Sequence, residues 1–256
     1  MDLSTTTAFV TGSRVRVDPS WRSFSGIQGG AVVGQLLAAA AASSPGRPRA
    51  VTAHLLRAVL PDTDAVVTAV PDRTGTTGSV RAELRQNGAV AAVAQVLTLD
   101  RPVSPAGPRA SGSLPTLADG VPFQLPRDLV PIADHTEIRA LGPGRPLEGG
   151  PDPRLHAWVR ILDEPDPLVR LGVLLDALPP SLFAVWRAPL PVPTVELTAH
   201  LLGEPPAEGE WVRIDQRTTW HDADLAIDDA GLWDVEGLPV ATVRQTRRLI
   251  GAPAAT

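Results

Sequence analysis

The chain has 256 residues, of which 43% are hydrophobic and 20% charged, and its formal net charge is -5. This composition is ordinary for a globular protein, and the negative charge argues against a nucleic-acid-binding function, which needs a basic face. The sequence has no Cys and no Lys, which excludes a Cys nucleophile, thiolate metal sites and a Schiff-base lysine.

The sequence also carries no signal for a membrane or for export. No apolar run reaches the roughly 20 residues that a bilayer-spanning helix needs. The first residues, MDLSTTTAFV, lack a basic region followed by a long apolar stretch, so they do not resemble a secretory signal. We therefore expect a cytoplasmic protein without a membrane anchor.

Residues 1–100 predict one buried helix followed by four strands. Residues 31–42 are Ala-rich and apolar on nearly every side, which predicts a helix buried all round, and Gly29 and Gly30 precede it. Asn87-Gly88 is typical of a two-residue hairpin turn. Val- and Thr-rich segments predict strands at 50–60, 64–71, 77–86 and 89–99. Together these elements predict an antiparallel sheet that curls around the helix.

Residues 101–153 differ from the segments on either side. They are rich in Pro, Gly and Ser and have little periodicity, which predicts a mostly irregular connector. One short strand is predicted near His135–Ala140. The chain is therefore expected to fold as two units, residues 1–100 and 154–256, joined by this connector.

Residues 154–256 predict a second unit of the same kind. A strand is predicted at 154–162, and Asp166-Pro167 is a typical helix start, with a helix reaching Leu178. Glu236-Gly237 predicts a hairpin turn like that at Asn87-Gly88. The remaining strands are predicted at 194–202, 210–220, 223–234 and 239–250.

A literal repeat supports the division into two units. The pentapeptide Thr52-Ala-His-Leu-Leu56 recurs as Thr198-Ala-His-Leu-Leu202, and the last strand of each unit contains a similar segment, 91–95 in one and 241–245 in the other, that closes on Gln95 or Gln245. Self-similarity of this kind indicates one structural unit present twice. It predicts that Gln95 is the counterpart of Gln245, and that Ala50 is the counterpart of Glu196.

Several motifs in the same order resemble the bacterial acyl-CoA thioesterase II family. They are Gln28-Gly-Gly-Ala-Val-Val-Gly-Gln35 at the start of an Ala-rich helix, and the segments 86–93, 210–211 and 236–245. The resemblance implies an α+β tandem (double) hotdog fold, in which each repeat wraps an antiparallel β-sheet around a long central helix. It also implies hydrolysis of acyl-CoA thioesters without a cofactor.

The family uses an Asp, a Thr and a Gln of its second repeat to activate water. By resemblance the Thr falls on Thr219, with Thr218 as a one-residue alternative, and the Gln falls on Gln245. The Asp position is taken by Glu196, which keeps the carboxylate but lengthens the side chain by one methylene. The amides of Gly29 and Gly30, at a helix N-terminus, are candidate donors to an oxyanion.

Each of these residues also has a purely structural interpretation. Glu196 lies on the polar face of a predicted strand and could be a solvated carboxylate. Gln245 could make a structural hydrogen bond, since a buried amide without a partner costs roughly 1–3 kcal/mol. The two glycines could serve tight packing of the helix, and Thr219 could be an ordinary strand threonine.

The predicted function is hydrolysis of an acyl-CoA or another acyl thioester. Two alternatives remain open: a hotdog enzyme of specialised metabolism that acts on a carrier-bound acyl chain, and a non-catalytic acyl-binding protein. The sequence has neither an H-E-x-x-H nor a G-x-S-x-G motif, so no metal site and no serine nucleophile are predicted. A homo-oligomer is expected, because open sheet edges tend to pair.

Overall fold

The computed structural model describes residues 13–102, 115–164 and 166–251. The described residues form one large antiparallel sheet and two α-helices, α1 (Gly29–Ala42) and α2 (Pro167–Leu175). The strands are β1 (Ser13–Val15), β2 (Arg47–Leu55), β3 (Ala65–Arg73), β4 (Thr77–Gln86), β5 (Ala89–Leu99), β6 (Val121–Phe123), β7 (Thr136–Leu141), β8 (Arg154–Ile161), β9 (Thr194–Leu201), β10 (Val212–His221), β11 (Leu225–Trp233) and β12 (Pro239–Arg248).

The helix predicted at 31–42 is confirmed and begins two residues earlier, at Gly29. It is capped by the side chain of Gln28, which accepts a hydrogen bond from the amide of Ala31. Most of its residues are buried, as its uniformly apolar sequence predicts. Neither described helix is long and apolar enough to cross a membrane.

The two predicted hairpin turns are present. Asn87 and Gly88 have φ angles of 52° and 77°, the left-handed conformation that a two-residue turn between β4 and β5 requires. Gly237, with φ of 80°, lies in the turn between β11 and β12. The strands around both turns lie within a few residues of their predicted positions.

The segment predicted as a connector contains two strands. β7 pairs with β8 along its whole length, and β6 pairs with β7, so both extend the sheet of the second half. Ile138 and Ala140 of β7 are buried in the core. The short strand predicted near His135–Ala140 is thus present, and β6 is an additional strand that the sequence did not predict.

The order of strands shows that the two halves have the same plan. The first half reads β1-β3-β4-β5-β2 across the sheet, and the second reads β9-β12-β11-β10-β8 before ending on β7 and β6. The halves meet where β2 pairs antiparallel with β9. At this seam the repeated pentapeptides pair with each other, with Thr52 directly opposite Thr198.

The strand register corrects one predicted correspondence. Ala92 lies opposite Leu55 and Ala241 lies opposite Leu201. Counting along the strands from these pairs, Gln245 matches Val96, and Gln95 matches Arg244. The prediction that Gln95 is the counterpart of Gln245 is therefore wrong by one residue. In a strand, a difference of one residue places a side chain on the opposite face of the sheet.

The two helices pack through glycines. A Cβ atom added to Gly30 would lie 2.2 Å from the carbonyl oxygen of Gly172, and one added to Gly34 would lie 2.6 Å from the Cα of Val169. Only glycine allows such an approach of two backbones. This contact brings the C-terminal end of α2 next to the N-terminal end of α1.

Candidate functional site

A carboxylate lies where the two helices meet. Asp176 directly follows α2, and its side chain is only 10% exposed. Its Oδ2 accepts a hydrogen bond from the amide of Gly30 at 3.2 Å. The first turn of a helix has unpaired N–H groups and a partial positive charge, so this position favours an anion.

Gln245 contacts the same carboxylate from β12. Its Nε2 donates to Oδ1 of Asp176 at 3.1 Å and to the carbonyl of Leu175 at 2.9 Å. Because both partners are acceptors, they fix which end of the amide faces Asp176. The other end, Oε1, is buried and has no hydrogen-bond partner among the described residues. This oxygen is available to accept a hydrogen bond from a small molecule such as water.

Thr194, at the start of β9, completes the group. Its Oγ1 donates to Oδ1 of Asp176 at 3.5 Å and accepts from Nη1 of Arg247 at 2.9 Å. Because Arg247 donates to a lone pair of the Thr194 hydroxyl oxygen, the hydroxyl proton points away from Arg247 and is free to bind Asp176. Asp176, Thr194 and Gln245 therefore form a compact set of one carboxylate, one hydroxyl and one amide.

A buried ion-pair network supports this set. Nε of Arg247 donates to Oδ2 of Asp228 at 2.8 Å, and Nη2 of Arg247 lies 3.5 Å from Oδ1 of Asp176. Thr218 donates to the other oxygen of Asp228 at 2.6 Å. The side chains of Arg247 and Asp228 are only 5% and 1% exposed. Arg247 thus links the two buried carboxylates.

The environment of Asp176 shifts its proton affinity. Burial raises the pKa of Asp176 above its ordinary value of 3.8, while the charge of Arg247 and the hydrogen bonds from Gln245 and Gly30 act in the opposite direction. A carboxylate with a raised pKa is a stronger base than an ordinary Asp. Such a group can accept a proton from a bound water.

Two further contacts hold the helix ends together. Nε2 of Gln28 donates to the backbone carbonyl of Asp176 at 2.7 Å, while its Oε1 caps α1. A Cβ atom at Gly29 would lie 3.0 Å from Oδ2 of Asp176 and 2.8 Å from the side chain of Leu55. A side chain at position 29 would therefore crowd the carboxylate.

The structure does not bring Glu196 to Gln245. Glu196 lies opposite Thr246 in the β9–β12 pair, and Leu197 lies opposite Gln245, so Glu196 and Gln245 are on opposite faces of the sheet. The carboxylate of Glu196 accepts hydrogen bonds from Thr198 at 2.6 Å and from Thr246 at 3.0 Å. It lines an outward-facing groove of about 690 Å³ that does not include Asp176.

The two candidate threonines also lie away from Asp176. Thr219 is exposed, and its hydroxyl donates to the carbonyl of Ile227 at 3.3 Å. Thr218 is held by Asp228, so it belongs to the supporting network. Of the predicted residues, Gln245 and Gly30 contact Asp176, Gly29 lies beside it, and Glu196 and Thr219 do not approach it.

Sequence reasoning missed Asp176 and Thr194. The predicted helix continued to Leu178, which placed Asp176 inside it, whereas α2 ends at Leu175. One signal was available: Asp176 is the first charged residue after the apolar run 171–175. Within the described parts of the chain, no cluster of three or more His, Asp or Glu side chains is arranged to hold a metal.

Sequence comparison places both halves in one family. Residues 17–99 match the sequence model of the acyl-CoA thioesterase N-terminal domain, and residues 108–248 match that of the acyl-CoA thioesterase C-terminal domain. A search of curated proteins found no match.

Solved structures with the same fold cover nearly the whole chain. A hot dog fold protein of unknown function from Alicyclobacillus acidocaldarius is 23% identical, with a TM-score of 0.85 over 98% of both chains. A putative thioesterase II from Thermobifida fusca is 22% identical, with a TM-score of 0.83 over 96% of both chains. The acyl-CoA thioesterase II TesB2 from Mycobacterium marinum is 18% identical, with a TM-score of 0.71 over 96% of this chain and 95% of that one. With the two domain matches, these likenesses confirm the resemblance found in the sequence: the chain has a hotdog fold and belongs to the acyl-CoA thioesterase family.

Proposed function

We propose that the protein hydrolyses acyl-CoA thioesters, with Asp176 as the general base, Gln245 holding the attacking water and Thr194 orienting the carboxylate of Asp176. The observation that carries this proposal is the buried carboxylate of Asp176 beside the unpartnered Oε1 of Gln245. A water bound there can donate one hydrogen bond to Asp176 and the other to Oε1 of Gln245. Its oxygen lone pair is then free to attack a carbonyl carbon.

The reaction proceeds by addition and elimination. Water adds to the thioester carbonyl while its proton passes to Asp176, and the resulting tetrahedral oxyanion collapses with cleavage of the C–S bond. Asp176 then returns the proton to the departing thiolate. The products are the free acid and the thiol of coenzyme A. Donors aimed at the developing oxyanion are worth about 2.7–4 kcal/mol each.

The glycines at the start of α1 have two roles in this proposal. The amide of Gly30 donates to Asp176 and orients the base. The amide of Gly29, one residue earlier at the same helix end, is the candidate donor to the oxyanion. Both positions lie where the helix dipole favours negative charge.

The architecture that we propose is a tandem double hotdog. Its support is the equal order of elements in the two halves and the pairing of the repeated pentapeptides at the seam. The second unit then begins inside residues 101–153, since β6 and β7 belong to its sheet. This differs from a boundary at residue 154.

We further propose a cytoplasmic location and a homo-oligomer. The described sheet ends on β1 and β6, which have three residues each. Edges this short offer few hydrogen bonds to another copy, so subunits would have to meet on another surface as well. Light scattering coupled to size-exclusion chromatography measures the number of subunits.

The function is tested by mixing the purified protein with short, medium and long acyl-CoAs and following thiol release with a trapping dye. Asp176→Asn should lower kcat by about 100- to 10,000-fold, the range typical of general base catalysis. Glu196→Gln tests the position predicted from the sequence and should retain turnover. Loss of activity in Glu196→Gln with activity preserved in Asp176→Asn would contradict the assignment.

Substrate class is tested in the same assay. Acyl groups on a carrier protein are offered in parallel with the coenzyme A thioesters. Turnover of the carrier-bound chain alone would favour the rival enzyme activity. Tight binding of acyl-CoA with no thiol release from any substrate would favour a binding protein.

A further inference from the structure

Asp176 is linked through Arg247 to a second buried carboxylate, Asp228, which is not among the residues proposed to contact the attacking water. Arg247 lies between Asp176 and Asp228, and none of the three side chains is more than 10% exposed. With all three groups ionised, the network carries one net negative charge. Burying a charge is costly unless it is paired with an opposite charge. The single cation, Arg247, is the ion-pair partner of both carboxylates.

We propose that Arg247 and Asp228 control the charge state of Asp176 in opposite directions: Arg247 keeps the carboxylate ionised, and Asp228 weakens that effect. The inference rests on the proposed function, in which Asp176 must be ionised to accept a proton from water. Arg247 and Asp228 are therefore positioning residues, and neither contacts the reacting atoms.

The contacts around Asp176 come from three elements: α1 with the capping residue before it, β9 and β12. α1 contributes the amide of Gly30 and the side chain of Gln28, which are neutral, and β9 contributes the neutral hydroxyl of Thr194. β12 contributes neutral Gln245 and the cation Arg247. Burial raises the pKa of Asp176, and the positive charge of Arg247 is the largest influence that lowers it.

Asp228, on β11, holds the guanidinium in place. Its Oδ2 accepts from Nε of Arg247 and, at 3.3 Å, from the amide of Ser181, and its Oδ1 accepts from Thr218. Because Nε of Arg247 contacts Asp228 closely, the negative charge of Asp228 offsets part of the electrostatic effect of Arg247 on Asp176. Neutralising Asp228 therefore strengthens the stabilisation of the Asp176 carboxylate by Arg247.

The network is confined to the half that carries Asp176. Counting in register, Arg247 corresponds to Thr98 of the first half, since Arg247 lies opposite Thr194 and Thr98 lies opposite Pro48. Thr98 is buried and makes a hydrogen bond to Ser44 at 3.0 Å. The packing of a β-sheet at this position therefore does not require an arginine.

The test is a titration of Asp176 in the folded protein. Aspartate is labelled with ¹³C at its carboxyl carbon, and the Asp176 signal is assigned by its loss in Asp176→Asn. Its titration midpoint is then measured in the wild type, Asp228→Asn and Arg247→Gln, alongside the pH profile of kcat/KM on an acyl-CoA. We expect Asp228→Asn to lower the midpoint and Arg247→Gln to raise it by about 1 pH unit, the size of an Asp–Arg interaction.

Conservative variants keep the test decisive. Asp228→Asn preserves shape and can still accept from Arg247, because the hydroxyl of Thr218 can either donate or accept. Arg247→Lys retains the charge and should return the midpoint toward that of the wild type. Should Arg247→Gln fail to fold, Asp228→Asn still tests the proposal, because a midpoint that stays unmoved or rises in that variant would overturn it.

A matched control lies on the same two strands. Arg244 on β12 pairs with Asp229 on β11 at 2.6 Å, but this pair is on the outer face of the sheet and Arg244 is well exposed. Arg244→Gln and Asp229→Asn change the same charges at a neighbouring position. Both should leave the Asp176 midpoint unchanged.

The outcomes separate this inference from the proposed function. Opposite shifts of the midpoint without thioester turnover would support the control of Asp176 and reject the hydrolase. Turnover that depends on Asp176, together with an unmoved midpoint or with shifts of the same sign in both variants, would overturn the inference and leave the hydrolase intact.

Discussion

The two halves of the chain share one plan and differ in what they bury. At the position of Gln245 the first half has Val96, and at the position of Arg247 it has Thr98. Val96 is fully buried, like Gln245. The comparison shows that the sheet-and-helix packing tolerates either an apolar or a polar side chain at this position. The polar one requires the partners that Asp176 and Leu175 supply.

The halves also differ after their helices. α1 is followed by only four residues before β2 begins at Arg47. α2 is followed by residues 176–193 before β9 begins, and this segment contributes to a second small apolar cluster that includes Leu182 and Phe183. The longer segment gives Asp176 room to leave the helix and turn toward α1. The candidate site therefore depends on a feature that the first half lacks.

The largest effect is expected when the second half is given the side chain that the first half has at this position. Gln245→Val should lower kcat on acyl-CoA by about 100- to 1,000-fold, because it removes one preorganised hydrogen-bonding group from the reacting water. Thermal unfolding should show that the variant folds. Activity within a factor of two of the wild type would remove Gln245 from the site.

The pH dependence of activity tests the buried carboxylate. Burial raises the pKa of Asp176, so the base becomes protonated at a higher pH than an ordinary Asp. The acid limb of kcat/KM should therefore lie above pH 3.8, with activity falling about tenfold per pH unit below it. A profile that stays flat down to the ordinary Asp range would contradict a buried base.

The glycine contact between the helices is common to both halves, and its disruption should affect stability. A Cβ atom at Gly172 would lie 2.5 Å from both the carbonyl oxygen of Gly30 and the Cα of Gly34. Gly172→Ala should destabilise the protein by about 1–3 kcal/mol through overpacking, measured by urea unfolding. Unchanged stability would mean that the helices are not in such close contact.

The reverse exchange, Val96→Gln, makes the first half resemble the second without supplying an acid. The new amide would be buried where α1 is followed by no equivalent of Asp176. An unsatisfied amide should cost about 1–3 kcal/mol of unfolding free energy and create no new activity. A stable variant with increased turnover would show that the first half needs only this one residue.

The smallest effect is expected at the seam. The hydroxyl of Thr198 donates to Glu196 at 2.6 Å and lies 3.1 Å from the hydroxyl of Thr52 on the outer face. Thr198→Val should change the unfolding free energy by about 1 kcal/mol or less, since cross-strand pairs contribute little individually. Activity should stay near that of the wild type, because this face does not contact Asp176.

The elements of the fold could be predicted because their signals are local. The apolar run at 31–42, the turn at Asn87-Gly88 and the Asp166-Pro167 helix start each occupy adjacent residues, and the structure contains the element that each predicts. The repeated pentapeptide also identified the two strands that pair at the seam. The strand β6 was missed, since it is only three residues long and its pairing partner β7 is supplied by residues further along the chain.

The candidate site was predicted only in part. Gln245 was found through a motif, but Glu196 was assigned as its acid by resemblance to the position of the family's Asp. In the β9–β12 register these two side chains occupy opposite faces. Asp176 was missed because its importance depends on where α2 ends, and the apolar pattern resumes after it at Ala177 and Leu178.

By itself the sequence determined the two-unit plan, the buried α1 and the absence of Cys and Lys chemistry, since periodicity and composition are properties of neighbouring residues. The tertiary structure decided which carboxylate meets Gln245. Asp176, Thr194 and Gln245 come from a helix end and two strands, and glycine packing and strand register bring them together. Those distances depend on long-range contacts, which no local pattern encodes.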